Sequence, residues 1–199
     1  TVLIAGQSAL RNSGSGSSWV YRYTMQSSDS DGSVSLSVNF TDTLGNGPTT
    51  VTSTTNGSAV LFDNTAPTLN EITAVSTPTS DNTSNYTFYS SEAGTITYGG
   101  DCDSDNTTAV GEDNNTITFN ALADNTYINC TITVTDSTGN TSDNLPVSPF
   151  KIDTTAPILS PVTPVSTPTG DNTPNYTFSS SEAGTITYGG ACGSSTSSA

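Results

Sequence analysis

The sequence VSTPTSDNTSNYTF at residues 75–88 returns almost unchanged as VSTPTGDNTPNYTF at residues 165–178, which is 90 residues later. Two further blocks repeat at the same spacing. DNTAP at residues 63–67 returns as DTTAP, and SEAGTITYGG at residues 91–100 returns from Ser181. A fixed period of this size indicates a tandem array of one small structural unit. We therefore interpret the chain as part of an extended array and predict its fold unit by unit.

The two DxTAP blocks divide the chain into three segments. Proline cannot donate a backbone hydrogen bond, so these blocks favour linkers between units. We predict that residues 1–66 (the first segment) are the C-terminal part of a divergent repeat and that residues 67–155 (the middle segment) form one complete repeat. Residues 156–199 (the last segment) are predicted to be the N-terminal half of a further repeat.

The residue pattern favours β-strands over disorder. Hydrophobic residues make up only 31% of the chain, whereas about 45–50% is usual for globular proteins. Short segments nevertheless alternate strictly between apolar and polar residues. In YINCTITV at residues 127–134, Ile, Cys, Ile and Val all have even numbers, and the residues between them have odd numbers; we call this shared odd or even numbering the parity of a residue. Threonine suits the solvated face of such a strand. These features predict an all-β fold.

Turn clusters in the middle segment separate seven short strands, the pattern of an immunoglobulin-like β-sandwich. Strands A to G are expected at residues 69–74, 84–90, 94–99, 107–110, 115–120, 126–135 and 145–152. The expected inward-facing residues are Tyr86, Phe88, Ile96, Tyr98, Ile117, Phe119, Ile128, Ile132, Phe150 and Ile152.

The first segment aligns with the middle segment through its end. TDTLGN at residues 41–46 matches TDSTGN at residues 135–140, and each follows a predicted strand. The first segment is then expected to supply strands from about C through G without A and B, and the last segment strands A, B and C. The expected core residues of the first segment share one parity: Trp19, Tyr21, Tyr23 and Met25.

Two of the three cysteines lie in the middle segment. Cys130 has the inward parity of strand F, and Cys102 follows strand C at that strand's inward parity. A Cys102–Cys130 disulfide would close a loop of about 28 residues and stabilise a thin core by about 3 kcal/mol. Such a bond would indicate an oxidising, extracytoplasmic location, and two buried free thiols are the alternative.

The third cysteine, Cys192, repeats Cys102 at the 90-residue spacing. It would need a partner near position 220, which favours a window on a longer polypeptide over a reactive thiol. The alternative is that successive copies complete each other's partial units by strand donation.

The charge excludes several classes of partner. The formal net charge is −15, with 18 acidic residues against Arg11, Arg22 and Lys151. Nucleic acids and anionic membranes are poor partners for such a chain, and a cation is a better one. Without histidine, the commonest general base and the usual catalytic triads are missing, so we predict a non-enzymatic protein. No apolar run is long enough to span a membrane, and no leader pattern is present.

An immunoglobulin-like strand order brings the BC loop, the FG loop and the incoming linker to one pole of each unit. At the pole of the middle segment this places Glu92, Asp136 and Asp63 together, facing Asp29 and Asp31 in the EF loop of the first segment. Clustered carboxylates repel unless a cation neutralises them, and hard oxygen ligands suit Ca²⁺. The alternative is that these acids are solvated turn formers.

The next joint is expected to repeat this arrangement. Asp153 and Glu182 correspond to Asp63 and Glu92 at the 90-residue spacing, and the facing loops of the middle segment add further acids. The predicted ligands there are Asp153, Glu182, Asp124 and Asp81.

The DxTAP linker, the SEAG loop, the TDxxGN hairpin and the TIxYxG strand together resemble the bacterial Ig-like repeats of very large surface adhesins and extracellular fibres. The resemblance implies a long extender region at the cell surface, stiffened by Ca²⁺ at its linkers, with Asp63, Glu92 and Asp136 as ligands. The cysteine pair departs from most repeats of this kind.

From these observations we expect a structural segment of an extracellular stalk. Its partners would be neighbouring repeats of the same polypeptide, or copies of itself in a filament. Two alternatives stay open: a polymerising subunit, and an Ig-like module that binds a glycan or a cell-surface ligand.

Overall fold

The computed structural model describes residues 1–198, and within that range the chain forms β-strands and no helix. The paired strands run antiparallel, and an isolated parallel bridge joins Thr79 to Ile152. The predicted all-β fold class is therefore confirmed.

The middle segment contains nine strands where seven were predicted, because the predicted strands F and G are each divided in two. They are β9 (Leu69–Thr73), β10 (Asn85–Ser90), β11 (Gly94–Gly99), β12 (Thr108–Ala109), β13 (Asp113–Thr118), β14 (Asn125–Tyr127), β15 (Thr131–Thr135), β16 (Leu145–Pro146) and β17 (Phe150–Ile152). One sheet has the order β13-β10-β9 and another the order β12-β11-β15-β16, while β14 pairs with β17.

A single apolar cluster joins these sheets. Tyr86 and Phe88 of β10 are fully buried, as are Ile132 and Val134 of β15. Phe119 lies between Tyr86 and Phe150, with ring centroids 6.1 and 5.9 Å away. Burying each large side chain contributes about 1.5–3 kcal/mol, so this cluster is the main source of stability in the middle segment. The expected core is confirmed except at Ile128, with Tyr98 only partly buried.

The prediction that Ile128 faces inward is wrong, because its side chain is 74% exposed. The predicted strand F is two strands: β14 pairs with β17, whereas β15 pairs with β11 and β16. The chain passes from one sheet to the other at residues 128–130. This shift breaks the alternation, so that Tyr127 is buried in place of Ile128.

The expected disulfide is present between Cys102 and Cys130, with the two Cα atoms 5.3 Å apart. Both cysteines are buried. Gly100 precedes the bridge with a φ of +76°, and a Cβ there would come within 2.1 Å of the Asn129 carbonyl oxygen. Only glycine fits this close approach of two chain segments.

Contacts between the start and the end of the middle segment close the fold. The Thr79 amide donates to the Lys151 carbonyl oxygen at 3.0 Å, and the Asp153 amide donates to the Thr79 carbonyl oxygen at 2.9 Å. Glu71 of β9 accepts hydrogen bonds from the amide and the hydroxyl of Ser148, at 2.9 and 2.7 Å. The chain around Thr79 therefore runs beside β17 at the end of this segment.

The first segment contains eight strands: β1 (Val2–Ile4), β2 (Gln7–Ser8), β3 (Leu10–Ser15), β4 (Ser18–Arg22), β5 (Gly32–Ser33), β6 (Leu36–Phe40), β7 (Thr49–Val51) and β8 (Leu61–Phe62). The sheet order β2-β1-β6-β7 corresponds to β12-β11-β15-β16 of the middle segment. The loops after β6 and β15 also match. Asp42 and Asp136 each accept hydrogen bonds from the amide and side chain of the asparagine four residues later.

The predicted core of the first segment is not buried. Trp19 is 48% exposed and Tyr21 is 38% exposed, while Tyr23 and Met25 are only half-buried. Trp19 and Tyr21 lie in β4, which within residues 1–198 pairs only with β3, whereas Tyr23 and Met25 follow that strand. The Arg11 guanidinium carbon lies 4.2 Å from the centroid of the Trp19 ring. These side chains therefore lie on an open face.

The last segment reproduces the start of the middle segment. Its strands are β18 (Leu159–Thr163) and β19 (Thr177–Ser180), and Leu159 pairs with Ser180 as Leu69 pairs with Ser90. The Tyr176 and Phe178 ring centroids lie 6.3 Å apart, compared with 6.4 Å for Tyr86 and Phe88. Repeated sequence thus gives repeated structure at these two strands. The predicted strand C of this segment does not form: GTITYG is β11 at residues 94–99, but at residues 184–189 it makes only an isolated bridge from Thr185 to Ser198. In the middle segment β11 pairs with β15, and no strand equivalent to β15 occurs in residues 156–198.

Candidate functional site

Three acidic side chains meet where the linker from the first segment enters the middle segment. Asp63 follows β8, Glu92 lies between β10 and β11, and Asp136 follows β15. Each offers a carboxylate oxygen, and these oxygens lie within 4.8 Å of one another. Asp63 and Glu92 are half-buried and Asp136 is buried. We call these three residues the joint cluster.

Asp136 is held by the loop that follows it. Its Oδ1 accepts hydrogen bonds from the amides of Thr138, Gly139 and Asn140 at 2.7–2.9 Å. Burial opposes its ionisation, but hydrogen bonds from Asn140 and Thr138 outweigh that effect and lower the pKa of Asp136 to about 2. The carboxylate is therefore charged and fixed in position at neutral pH.

The same loop contacts the linker. The Asn140 side-chain amide donates to the Asp63 carbonyl oxygen at 3.3 Å and to Asp136 Oδ2 at 2.9 Å. The Thr138 hydroxyl lies 3.5 Å from Asp63 Oδ2. Thr138 and Asn140 thus hold Asp63 beside Asp136. Asn140 is the last residue of the TDxxGN pattern, whereas Thr138 stands at a variable position, so the sequence could signal only the role of Asn140.

Glu92 lies close to other negatively charged side chains, and they affect its pKa. Desolvation raises its pKa, and the negative charges of Asp63, Asp136 and Asp31 raise it further. Its backbone is fixed by Ser90, whose hydroxyl donates to the Glu92 carbonyl oxygen at 2.6 Å. A cation placed among these carboxylates would relieve their repulsion.

The two predicted residues of the first segment have different positions. Asp31 accepts hydrogen bonds from the Asn64 amide at 2.8 Å and from the Thr65 hydroxyl, so it lies against the linker. Asp29 instead accepts bonds from the Tyr23 hydroxyl and the Gln26 amide within its own turn. Asp31 adds negative charge to the joint, and Asp29 is a turn former outside the cluster.

The four acids predicted for the second joint form no comparable cluster within residues 1–198. Asp124 resembles Asp31 because it accepts bonds from Thr154 and Thr155 of the linker. Hydrogen bonds from Thr155 and Thr154 lower the pKa of Asp124 to about 2. Asp81 accepts bonds from Thr83 in its own loop, so its predicted place at the joint is not supported.

The second joint has a basic residue that the first joint lacks. Lys151 Nζ lies 2.8 Å from Asp153 Oδ2. The hydrogen bond and negative charge of Asp153 raise the pKa of Lys151, and the negative charges of Glu182 and Asp124 raise it further. The residue 90 positions before Lys151 is Leu61. The ammonium group therefore supplies positive charge beside Asp153, whereas no ion pair to Asp63 forms among residues 1–198. The repeat pattern alone gave no signal for this difference.

The chain matches no protein-family model, no curated protein and no solved structure. Within residues 1–198, no helix is long and apolar enough to cross a membrane. Cys192 is exposed and unpaired in the same range.

Proposed function

We propose that this chain is a non-enzymatic segment of an extracellular stalk, in which Ca²⁺ bound at the joint cluster stiffens the connection between successive Ig-like units. The observation that carries the proposal is the convergence of Asp63, Glu92 and Asp136 from a linker and two loops. The ligands come from both sides of one joint, so binding there would couple the linker to the unit that follows it.

The fold supports a repeating, load-bearing unit. In the middle segment, β9, β10 and β13 correspond to the A, B and E strands of an Ig-like sandwich, and β11, β15 and β16 to C, F and G. The blocks repeated at 90 residues continue this unit along the chain. The buried disulfide favours an oxidising, extracytoplasmic setting.

The chemistry of the cluster favours Ca²⁺ over softer metals. Its donors are carboxylate oxygens, with the Asp63 carbonyl nearby, and no cysteine or histidine joins them in residues 1–198. Ca²⁺ prefers six to eight oxygen ligands in flexible geometry, which loops and a linker can supply together with water. When bound, it would neutralise carboxylates that otherwise repel one another.

The proposal is tested by calorimetric titration of the full chain with CaCl₂, together with small-angle scattering in Ca²⁺ and in chelator. We expect one Ca²⁺ per chain and a narrower distribution of extensions when it is bound. Asp63→Asn should abolish binding, whereas Asp105→Asn, which removes one charge outside the cluster, should not. If the wild-type chain does not bind Ca²⁺, the proposed metal site is wrong. If it binds Ca²⁺ but its scattering does not change, the proposed stiffening of the joint is wrong.

A second candidate function is assembly between copies of the chain. It is favoured by apolar side chains on the open faces of the first and last segments, among them Phe40 at 66% and Leu159 at 65% exposure. Association through such faces would bury them. Sedimentation of the full chain at micromolar concentration distinguishes the two candidates, since a monomer argues against assembly.

A further inference from the structure

The first segment contains two Asn-Gly pairs, Asn46-Gly47 and Asn56-Gly57. In such a pair the backbone nitrogen of the glycine can attack the side-chain carbon of the asparagine, because glycine has no Cβ to obstruct the approach. The two pairs share this local chemistry. Their asparagine side chains differ in hydrogen bonding: Asn56 bonds to a residue that follows it, and Asn46 bonds to a residue that precedes it.

The Asn56 side chain folds toward the residues that follow it. The Ser58 amide donates to Asn56 Oδ1 at 3.1 Å, forming a turn that spans Gly57. The hydrogen bond directs the Asn56 side chain toward the residues that follow it and polarises the carbonyl that is attacked. The Gly57 amide makes only a long bond of 3.4 Å, to Thr54, and residues 54–58 are all exposed.

The Asn46 side chain is held the other way. Its Nδ2 donates back to Asp42 Oδ2 at 2.8 Å, and its backbone amide donates to Asp42 Oδ1 at 2.8 Å. The hydrogen bonds from Asn46 lower the pKa of Asp42, so this carboxylate is charged at neutral pH. Its charge disfavours the anion that Gly47 must become in order to attack. By contrast, no ionisable residue occurs in sequence between Asp42 and Asp63.

We infer that Asn56 is a site of spontaneous deamidation in the folded chain, and that Asn46 is protected from it. The Gly57 nitrogen loses its proton and bonds to Asn56 Cγ, and the Cγ–Nδ2 bond breaks to release ammonia. Water then opens the cyclic imide at either carbonyl, which leaves aspartate or isoaspartate. The products carry one more negative charge and about 1 Da more mass than the original chain.

The inference is tested by incubating the full chain in mildly alkaline buffer and mapping peptides by mass spectrometry, with an isoaspartate-specific assay. Asn46 serves as the internal control for Asn56. We expect Asn56 to convert at least about tenfold faster than Asn46, which corresponds to the loss of one charge-assisted hydrogen bond. Equal rates in the folded chain, or a faster Asn46, would overturn the inference.

Two further measurements test whether geometry is the cause. Asp42→Ala should release the Asn46 side chain and accelerate conversion at Asn46 without changing Asn56. Because that variant can disturb its loop, the wild-type chain is also incubated in urea, where we expect the difference between the two sites to disappear. A difference that persists in urea would show that sequence, and not the turn at Asn56, sets the rate.

Discussion

At the scale of single residues, Glu92 is a carboxylate surrounded by other carboxylates. Its pKa is raised above the ordinary 4.5 by desolvation and by neighbouring negative charge. A group with a raised folded-state pKa adds stability below its unfolded pKa, and that stability is lost as pH rises through the folded value. At neutral pH in chelator, the charged Glu92 therefore opposes folding.

We predict that Glu92→Gln raises the melting temperature in chelator by about 1–3 °C, because it removes one like charge from the joint cluster. In Ca²⁺ the same variant should melt below the wild type, since one ligand is lost. The measurement is a pair of thermal melts at neutral pH, with Asp105→Asn as the charge control. A variant that melts lower than the wild type in chelator would contradict the repulsion that we infer.

Two aspartates give the opposite dependence on pH. Asp124 and Asp136 have pKa values lowered to about 2 from an ordinary 3.8. Their contribution to stability is present above the unfolded value and is lost as pH falls through the folded value. We predict that the urea midpoint falls steeply between about pH 4 and pH 2. Asp136→Asn and Asp124→Asn should each make that fall shallower, and a fall as steep as that of the wild type in both variants would contradict the prediction.

At the scale of elements, the passage from β14 to β15 decides which side chains enter the core. Ile132 is fully buried, whereas Ile128 is 74% exposed although it has the same sequence parity. We predict that Ile132→Ala lowers the free energy of unfolding by about 2–5 kcal/mol. The matched change Ile128→Ala should cost less than about 0.5 kcal/mol. Urea denaturation of both variants is the measurement, and equal costs would mean that the strand is continuous.

Alternation and turn residues were sufficient to predict most strands of the middle segment. Strand C was expected at residues 94–99, and β11 spans Gly94–Gly99. Alternation was not sufficient at Ile128, because a shift between sheets depends on pairing with β17, far away in sequence. Alternation was also insufficient at Trp19. It predicts which side chains share a face of the strand, but it does not predict whether another layer of the fold covers that face.

The candidate site was predictable to the extent that it depends on topology. Asp63, Glu92 and Asp136 were expected to meet because strand order brings their loops to one pole, and their oxygens lie within 4.8 Å of one another. Asp29 and Asp81 look the same in sequence but accept hydrogen bonds in their own turns. Whether an aspartate serves its own turn or a joint depends on side-chain geometry, which residue type does not encode.

At the scale of the whole molecule, the two joints differ in how their charge is balanced. Lys151 lies 2.8 Å from Asp153, while Leu61 occupies the equivalent position before Asp63. If Ca²⁺ binds the joint cluster as proposed, a lysine at position 61 would compete with it through the same two-residue spacing. Substituting lysine for Leu61, and leucine for Lys151, therefore tests whether this difference in charge affects the two joints.

We predict that Leu61→Lys weakens Ca²⁺ binding by about tenfold, since a fixed positive charge opposes a divalent cation. Lys151→Leu should leave binding at the first joint unchanged and should increase amide exchange of Thr154 in chelator. Calorimetry and hydrogen-exchange mass spectrometry are the measurements, with Leu61→Gln as the control for shape. Unchanged affinity in Leu61→Lys would show that the ion does not bind beside Asp63.

The contact between Thr79 and the last strand of the middle segment has a mechanical consequence. Thr79 bridges to Ile152 in parallel, and the flanking bonds to Lys151 and Asp153 lie beside it. A pull on the two ends of this segment would shear these bonds together instead of opening them one at a time. The Cys102–Cys130 disulfide would also keep the chain between these two cysteines from extending, so this unit would resist the pull and lengthen less than one without the bridge.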